Sequence, residues 1–262
     1  MARKSLTNIM RLIDMAAETQ TTEQAFLNDL KRSIELSDEK NRRLPSKTYK
    51  PSGMNCIRAS YYQIIGATPE KISNASSELI GICESGSDRH ERIQKAIADM
   101  KNNGMDCEYI NVADYVKEHK LKNVQVVSQQ GMETKLFHKT MNMSFLCDGI
   151  IRYHDKHYIF EFKTESSFKW NKRDEVDPGH YNQATCYSIA LEIDDVLFVY
   201  ENRDTLGKKA YMFTPTNEMK ESIIAYIEEC DDCVKHLKPP AVDFSTKNCG
   251  YCGYKAQCRK DG

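Results

Sequence analysis

No stretch of this 262-residue chain approaches the roughly 18 consecutive apolar residues that a membrane-spanning helix needs, so no bilayer location is expected. Residues Met1 to Glu18 hold no apolar core of the length a secretory leader requires, and a cytoplasmic location is expected. Net charge is almost absent: 37 Lys and Arg stand against 38 Asp and Glu, a formal −1, which excludes a uniformly basic nucleic-acid coat. There is no internal repeat and no low-complexity tract. What remains is a chain with 40% hydrophobic and 29% charged residues, enough to bury a sizeable core. At about 150 residues per domain, that length suits one large domain with appendages.

Charge is uneven along the chain. Lys40, Arg42, Arg43, Lys47 and Lys50 form a basic run, which reads either as a solvated loop or as a phosphate-contacting arm. The ten cysteines are also uneven. Without a secretory signal a disulfide scaffold is not expected. In a reducing compartment, clustered cysteines more often hold a metal, whereas scattered ones are small core residues.

Residues 5–40 read as a polar, lightly amphipathic helical stretch, interrupted by Pro45 and the basic run. Pro51-Ser52-Gly53 opens a short helix closed by Gly66. Leu79, Cys83, Gly86, His90, Ile93, Ile97 and Met100 recur at helical spacing on one face. From about residue 124 the period changes to that of strands, in VQVVSQQGME, MNMSFLCDGIIRY and HYIFEFKTE. A helix follows from Pro178 to about Leu191, then a strand pair turning at Gly207, then a helix from Thr214-Pro215 to about residue 237. The last 22 residues form a cysteine-rich tail without helical periodicity. The expected fold is α/β: a mixed central sheet of about five strands flanked by helices. The expected divisions are a helical segment and basic arm over 1–50, a core over 51–245, and a cysteine module over 246–262.

One constellation carries chemistry. Asp148 heads one strand, and Glu161 and Lys163 share a face of the next, with Phe160 and Phe162 on the other. Antiparallel pairing brings Asp148 beside Glu161. Two carboxylates converging on one point repel unless a cation sits between them, and hard oxygen ligands suit Mg²⁺ or Mn²⁺. Such an ion acidifies a bound water, and a neighbouring lysine assists attack on phosphorus. The plainer alternative is an exposed Asp and an ordinary Glu–Lys pair. His90, on the apolar stripe of its helix, is aimed at the core, either as a satisfied core histidine or as a further ligand. Gln183 and Tyr187 are i,i+4 neighbours on one helix face, suited to orienting a phosphate or a water.

These residues, taken in order, resemble the PD-(D/E)XK nuclease superfamily, in particular the RecB-type nucleases that include CRISPR-adaptation nucleases and phage exonucleases. Gly86-Ser87-Asp88-Arg89-His90-Glu91 resembles the family's G-x-x-x-H helix, whose His is a metal ligand. Leu146-Cys147-Asp148-Gly149 resembles its acidic strand, with Cys147 where Pro is usual. Glu161-Phe162-Lys163 resembles its E-x-K, and Gln183-Ala184-Thr185-Cys186-Tyr187 its Q-x-x-x-Y helix. The resemblance implies a restriction-endonuclease-like core and a metal-dependent DNA exonuclease acting on ends or single strands. It implies His90, Asp148, Glu161 and the Phe162 carbonyl around the ion, Lys163 assisting the nucleophile, and Gln183 and Tyr187 positioning substrate. Arg58 and the 40–50 arm are then expected on the phosphate backbone, and Tyr61 and Tyr62 either stacked on unpaired bases or packed. DNA is the expected partner, with a homo-oligomer or recombination and replication proteins as further ones. The alternative function is a non-catalytic DNA-binding or recruitment module on the same scaffold.

Two metal readings compete for the cysteines. Cys230-x2-Cys233 with Cys249-x2-Cys252 matches a zinc-ribbon spacing. However, Cys230 lies on the buried stripe of a long helix, and a knuckle needs a turn such as Asn248 to Cys258 with its Gly250 and Gly253. The tail also resembles the iron–sulfur form of the RecB-type nucleases, which implies Cys56, Cys249, Cys252 and Cys258 around a [4Fe-4S] cluster. In that form, Cys56-Ile57-Arg58-Ala59-Ser60-Tyr61-Tyr62 matches an upstream C-x-R-x-x-Y-Y.

Overall fold

The computed structural model describes residues 21–41, 46–70, 76–241, 249–250 and 252–262. The helical expectation for residues 5–20, together with Arg42, Arg43 and the 242–248 approach to the tail, lies outside the described residues. The chain forms two compact units, Met1–Arg43 with Asn74–Glu84, and Leu44–Ser73 with Ser85–Gly262. In the first, α1 (Thr22–Asn41) carries Lys31, whose Nζ lies 2.8 Å from Glu78.

The second unit holds the sheets. Its elements, in chain order, begin with a 3₁₀ turn at Pro51–Gly53 and α2 (Ile57–Ile65). The long helix α3 (Ser77–Ala98) enters the unit from Ser85. β1 (Cys107–Ile110) and α4 (Val112–Glu118) follow. Next come β2 (Val124–Gln130), β3 (Glu133–His138), β4 (Met143–Cys147), β5 (Gly149–Tyr153) and β6 (Lys156–Glu165). The short α5 (Ser167–Asn171), α6 (Tyr181–Leu191), β7 (Val196–Asn202), β8 (Lys208–Phe213), α7 (Asn217–Lys235) and α8 (Lys255–Lys260) complete it. None of the described helices is long and apolar enough to cross a membrane.

Five strands form a mixed sheet in the order β1-β5-β6-β7-β8. Its centre is β6, antiparallel to β5 and parallel to β7, the parallel step being bridged by α5 and α6 as a crossover requires. Alternation splits the faces. Ile159, Phe198 and Tyr200 join the larger core with α6 and α7, and Phe160 and Phe162 join Ile93 of α3 in a smaller one. This expected sheet is accompanied by a second one, an antiparallel β2-β3-β4, which the sequence reading did not separate.

The difference lies at one residue. The expected single strand MNMSFLCDGIIRY breaks at Asp148, sending β4 into the small sheet and β5 into the large one. Gly149 follows the break, and only a glycine fits there: a Cβ would meet the Tyr109 ring at 2.5 Å. The Tyr109 hydroxyl donates to the carbonyls of Asp148 (3.0 Å) and Met132 (2.8 Å), and Gln94 Nε2 donates to the Asp148 carbonyl at 2.6 Å. Two sheets and a helix therefore meet at this backbone oxygen, and the carboxylate beyond it is held in place.

The tail departs from expectation too, since Lys255–Lys260 is helical. It is bound to α2. Arg58, only 3% exposed, donates to the carbonyls of Cys258 (3.4 Å), Asp261 (3.3 Å) and Gly262 (3.2 Å). Tyr62 donates to Asp261 Oδ2 at 2.6 Å and its ring lies 5.6 Å from that of Tyr254. Gly253 passes so near Pro69 that a Cβ would sit 2.8 Å from the proline Cβ, while its carbonyl accepts from the Glu70 amide. The phosphate-backbone expectation for Arg58 is not met, because the side chain is buried and both terminal nitrogens donate to the tail. Tyr61 and Tyr62 are buried, so packing, not base stacking, is their role. Of the basic arm, the described end is tied down: Tyr49 between Lys47 and Lys50 is buried, bridges to Met143 and donates to Asp231.

Candidate metal centre

The β5–β6 register pairs Gly149 with Phe160, so Asp148 sits just beyond the ladder, opposite Glu161 and Phe162. Its Oδ2 accepts the Phe162 amide N–H at 2.8 Å. From α3, His90 brings Nδ1 to 3.2 Å from Asp148 Oδ2, with its ring edge-on to Phe162 at 5.0 Å between centroids. That nitrogen is buried and makes no aligned hydrogen bond. From β3, Glu133 brings Oε1 to 3.6 Å from the same nitrogen. One ligand atom from each of His90, Glu133 and Asp148 lies within 4.8 Å of the others, a group able to hold a metal ion.

Glu161 lies alongside with a side chain only 2% exposed. Its Oε1 accepts from Lys163 Nζ and from Gln183 Nε2 (2.7 Å). Its Oε2 is buried and has no partner, a state that costs several kcal/mol, about 1–3 or more for a charged group, unless a cation or proton meets it. Burial and the adjacent Asp148 push the Glu161 carboxyl above its ordinary range, with Lys163 opposing. Burial and Asp148 push Glu133 the same way. Burial disfavours charge on Lys163 and His90, but the surrounding carboxylates outweigh it and raise both. Three carboxylates crowd around one ammonium, and the crowding is relieved by a divalent cation. The mixed oxygen and imidazole donor set fits Mn²⁺ or Mg²⁺.

Of the expected residues, His90, Asp148, Glu161, Phe162 and Lys163 come together at one place. Gln183 and Tyr187 come to it as well, but from behind. Gln183 contacts Glu161 and, at 2.9 Å, the Tyr187 hydroxyl, which in turn donates to the Leu146 carbonyl at 2.8 Å. Both are buried, the Gln183 amide donating to Glu161 and Tyr187 reaching it only through Gln183. Glu133 was missed. Reading VQVVSQQGME as one strand left it unpaired at a strand end. The signal was Gly131, whose φ of +59° closes the β2–β3 hairpin, followed by alternating Thr134, Leu136 and His138, all buried.

The cysteines divide as their surroundings dictate. Cys230 is fully buried on α7, a core thiol. Cys56 stands at the N-cap of α2, the helix whose Arg58 donates to the Cys258 carbonyl. Burial raises the Cys252 thiol pKa, and Cys56, Cys258 and Cys249 each raise it further. Burial also raises Cys258, with Arg58 opposing and Cys56 and Cys249 reinforcing.

No protein-family model matches the chain, and no curated protein matches it. Solved structures with a related outline include a protein designated SSO0001, with 14% identity and a TM-score of 0.44 over 88% of this chain and 96% of that one. An alkaline exonuclease from Laribacter hongkongensis matches with 13% identity and a TM-score of 0.43 over 74% of this chain and 92% of that one. Its complex with dAMP gives 12% and 0.41 over the same shares. Likenesses of this size establish neither a family nor an activity.

Proposed function

We propose that this chain is a divalent-metal-dependent nuclease that hydrolyses DNA phosphodiester bonds, working as an exonuclease on ends or single strands. The observation that carries the reading is the convergence of His90, Glu133 and Asp148 beside the unpartnered Glu161 Oε2, with Lys163 at its side. Asp148, Glu133 and His90 would hold Mg²⁺ or Mn²⁺, with Glu161 and the Phe162 carbonyl completing the set. A bound divalent ion supplies Lewis-acid polarisation of a phosphoryl oxygen and lowers the pKa of water. Lys163, kept protonated by Glu161 and Asp148, offers a fixed positive charge to the phosphate. Gln183 and Tyr187 keep Glu161 in one rotamer.

In the same reading, Cys56, Cys249, Cys252 and Cys258 hold a [4Fe-4S] cluster that staples the tail to α2. Support comes from the Arg58 and Tyr62 bonds that tie the tail, Cys258 included, to the helix that Cys56 precedes. Four thiolates in a reducing compartment suit iron–sulfur ligation.

End-labelled single- and double-stranded DNA, incubated with the protein and Mn²⁺ or Mg²⁺, is expected to release labelled nucleotides, and to release none with chelator. Intact DNA under every metal condition would overturn the enzymatic reading. Protein purified without oxygen is expected to be brown and to contain iron and sulfide. A colourless protein carrying stoichiometric zinc would contradict the cluster.

A further inference from the structure

Immediately after the strand that carries Glu161 and Lys163, the chain forms α5, a single short helix that the sequence reading left as a connection. Its side chains are arranged unusually for a connection. Phe168 is 71% exposed, and Lys172 Nζ sits 4.0 Å from its ring centroid. Neither Lys169 nor Lys172 has a carboxylate partner among the described residues.

The exposed ring stands on a rigid base. Ser166 caps the helix by accepting the Lys169 amide. Ser167 Oγ donates to Asn202 Oδ1 at 3.0 Å and to Asp204. Lys209 Nζ donates to the carbonyls of Trp170 and Arg173, both at 2.8 Å, while lying over the Trp170 ring. Tyr211 donates to the Arg173 carbonyl at 2.8 Å, and the Arg173 guanidinium is clamped by both oxygens of Glu165 and by Asp177. Trp170 fills the space over Gly207, where a Cβ would lie 3.2 Å from the indole. So many ties hold α5 that Phe168 stays exposed because of where the backbone is fixed, not because the segment is loose.

The helix directly follows the strand that carries Glu161 and Lys163. Phe168 follows Lys163 by five residues. The ends of β6 and β7 lie together, with the Arg203 amide donating to the Glu165 carbonyl at 2.9 Å. Lys163 and Lys169 both bear on one half-buried imidazole, His180: desolvation lowers its pKa to about 4, and Lys163, Arg173 and Lys169 add to the lowering while Asp177 opposes.

We infer that Phe168, with Lys169 and Lys172, is a stacking platform for an unpaired base of single-stranded DNA next to the cleavage centre. The ring face that Lys172 leaves open takes any base, and the Lys169 and Lys172 ammonium groups, without a carboxylate partner among the described residues, meet the flanking phosphates. Paired bases keep their faces inside the stack, so a duplex offers this ring nothing. The inference rests on the nuclease reading and narrows its substrate to single strands or frayed ends.

The test uses the full chain, a labelled thymidine oligonucleotide of about twelve nucleotides, and Ca²⁺ in place of the catalytic ion. Affinity is read by anisotropy. Occupancy is read by the emission of Trp170, the chain's one tryptophan, which lies in the same helix. Phe168→Ala is expected to bind about tenfold more weakly and Phe168→Tyr as the wild type does. Lys172→Ala is expected to lower both affinity and its dependence on salt. Because Phe168 is exposed, its substitution leaves the unfolding temperature unchanged. Equal affinity for Phe168→Ala and wild type overturns the platform, whether or not the wild type cleaves DNA. So does an equal Phe168-dependent loss on a blunt duplex. Ring-dependent single-strand binding by a chain that cleaves nothing keeps the platform and removes the nuclease reading.

Discussion

Asp148→Asn should abolish metal-dependent DNA cleavage, a loss of about a thousandfold or more, without unfolding the protein. The substitution keeps the volume of the side chain and leaves an amide oxygen for the Phe162 N–H, now 2.8 Å from Oδ2. What disappears is the charge shared between the His90 side and the Glu161 side of the centre. In chelator, the variant should melt at or above the wild-type temperature. The lost charge-assisted hydrogen bond, worth about 1.5–3 kcal/mol, is offset by relief of the repulsion that raises Glu161 and Glu133. Cleavage assays and thermal melts on the same preparation separate the two effects. A variant that keeps full activity removes Asp148 from the centre.

Glu201→Gln should destabilise the fold at a buried ion cluster away from the centre. Its carboxylate is fully buried at the end of β7 and accepts both Arg92 bonds, at 2.7 and 2.8 Å, with Lys208 at 3.0 Å and Arg89 at 3.5 Å. Burial disfavours the charge, but Arg92 and Lys208 outweigh it and hold the Glu201 carboxyl below its ordinary range. Neutralising it leaves several cations facing a neutral amide. The cost is set at about 2 kcal/mol, below the ~3–5 of a wholly buried pair, because the Arg92 side chain is 48% exposed and rehydrates. The sign with pH follows from the depressed pKa. The wild-type advantage is complete above the unfolded-state value of about 4.3 and is lost as pH falls through the lower folded value. Denaturant melts should therefore show the gap between variant and wild type closing in acid. Since Arg89 and Arg92 flank His90 on α3, cleavage should fall as well. A gap that stays constant with pH would show that the charge is not what Glu201 contributes.

The large sheet and its long helices were legible because their periods are clean: β6 alternates Glu161 and Lys163 against Phe160 and Phe162, and α3 carries Ile93 and Ile97 one turn apart. The break at Asp148 was not, since LCDGI reads as a continuous strand and only the approach of the Tyr109 ring shows why a glycine follows it. His90, Asp148, Glu161 and Lys163 lie together because two adjacent strands and α3 converge there. Glu133 escaped because a carboxylate at a hairpin start has no local signature, and only the pairing of β3 with β4 carries it towards Asp148. Arg58 shows the converse. A lone arginine beside two tyrosines suggests phosphate binding, yet its donors end on three carbonyls of a tail some two hundred residues on.

Manganese titration of the purified chain, followed by the loss of the free-ion paramagnetic signal, reaches the centre without requiring any reaction. The wild type should take up Mn²⁺ saturably, Glu133→Gln should bind it about tenfold more weakly, and His90→Ala combined with Glu133→Gln should bind none. Undiminished Mn²⁺ uptake by that double variant would mean that imidazole and carboxylates meet there for some purpose other than holding an ion.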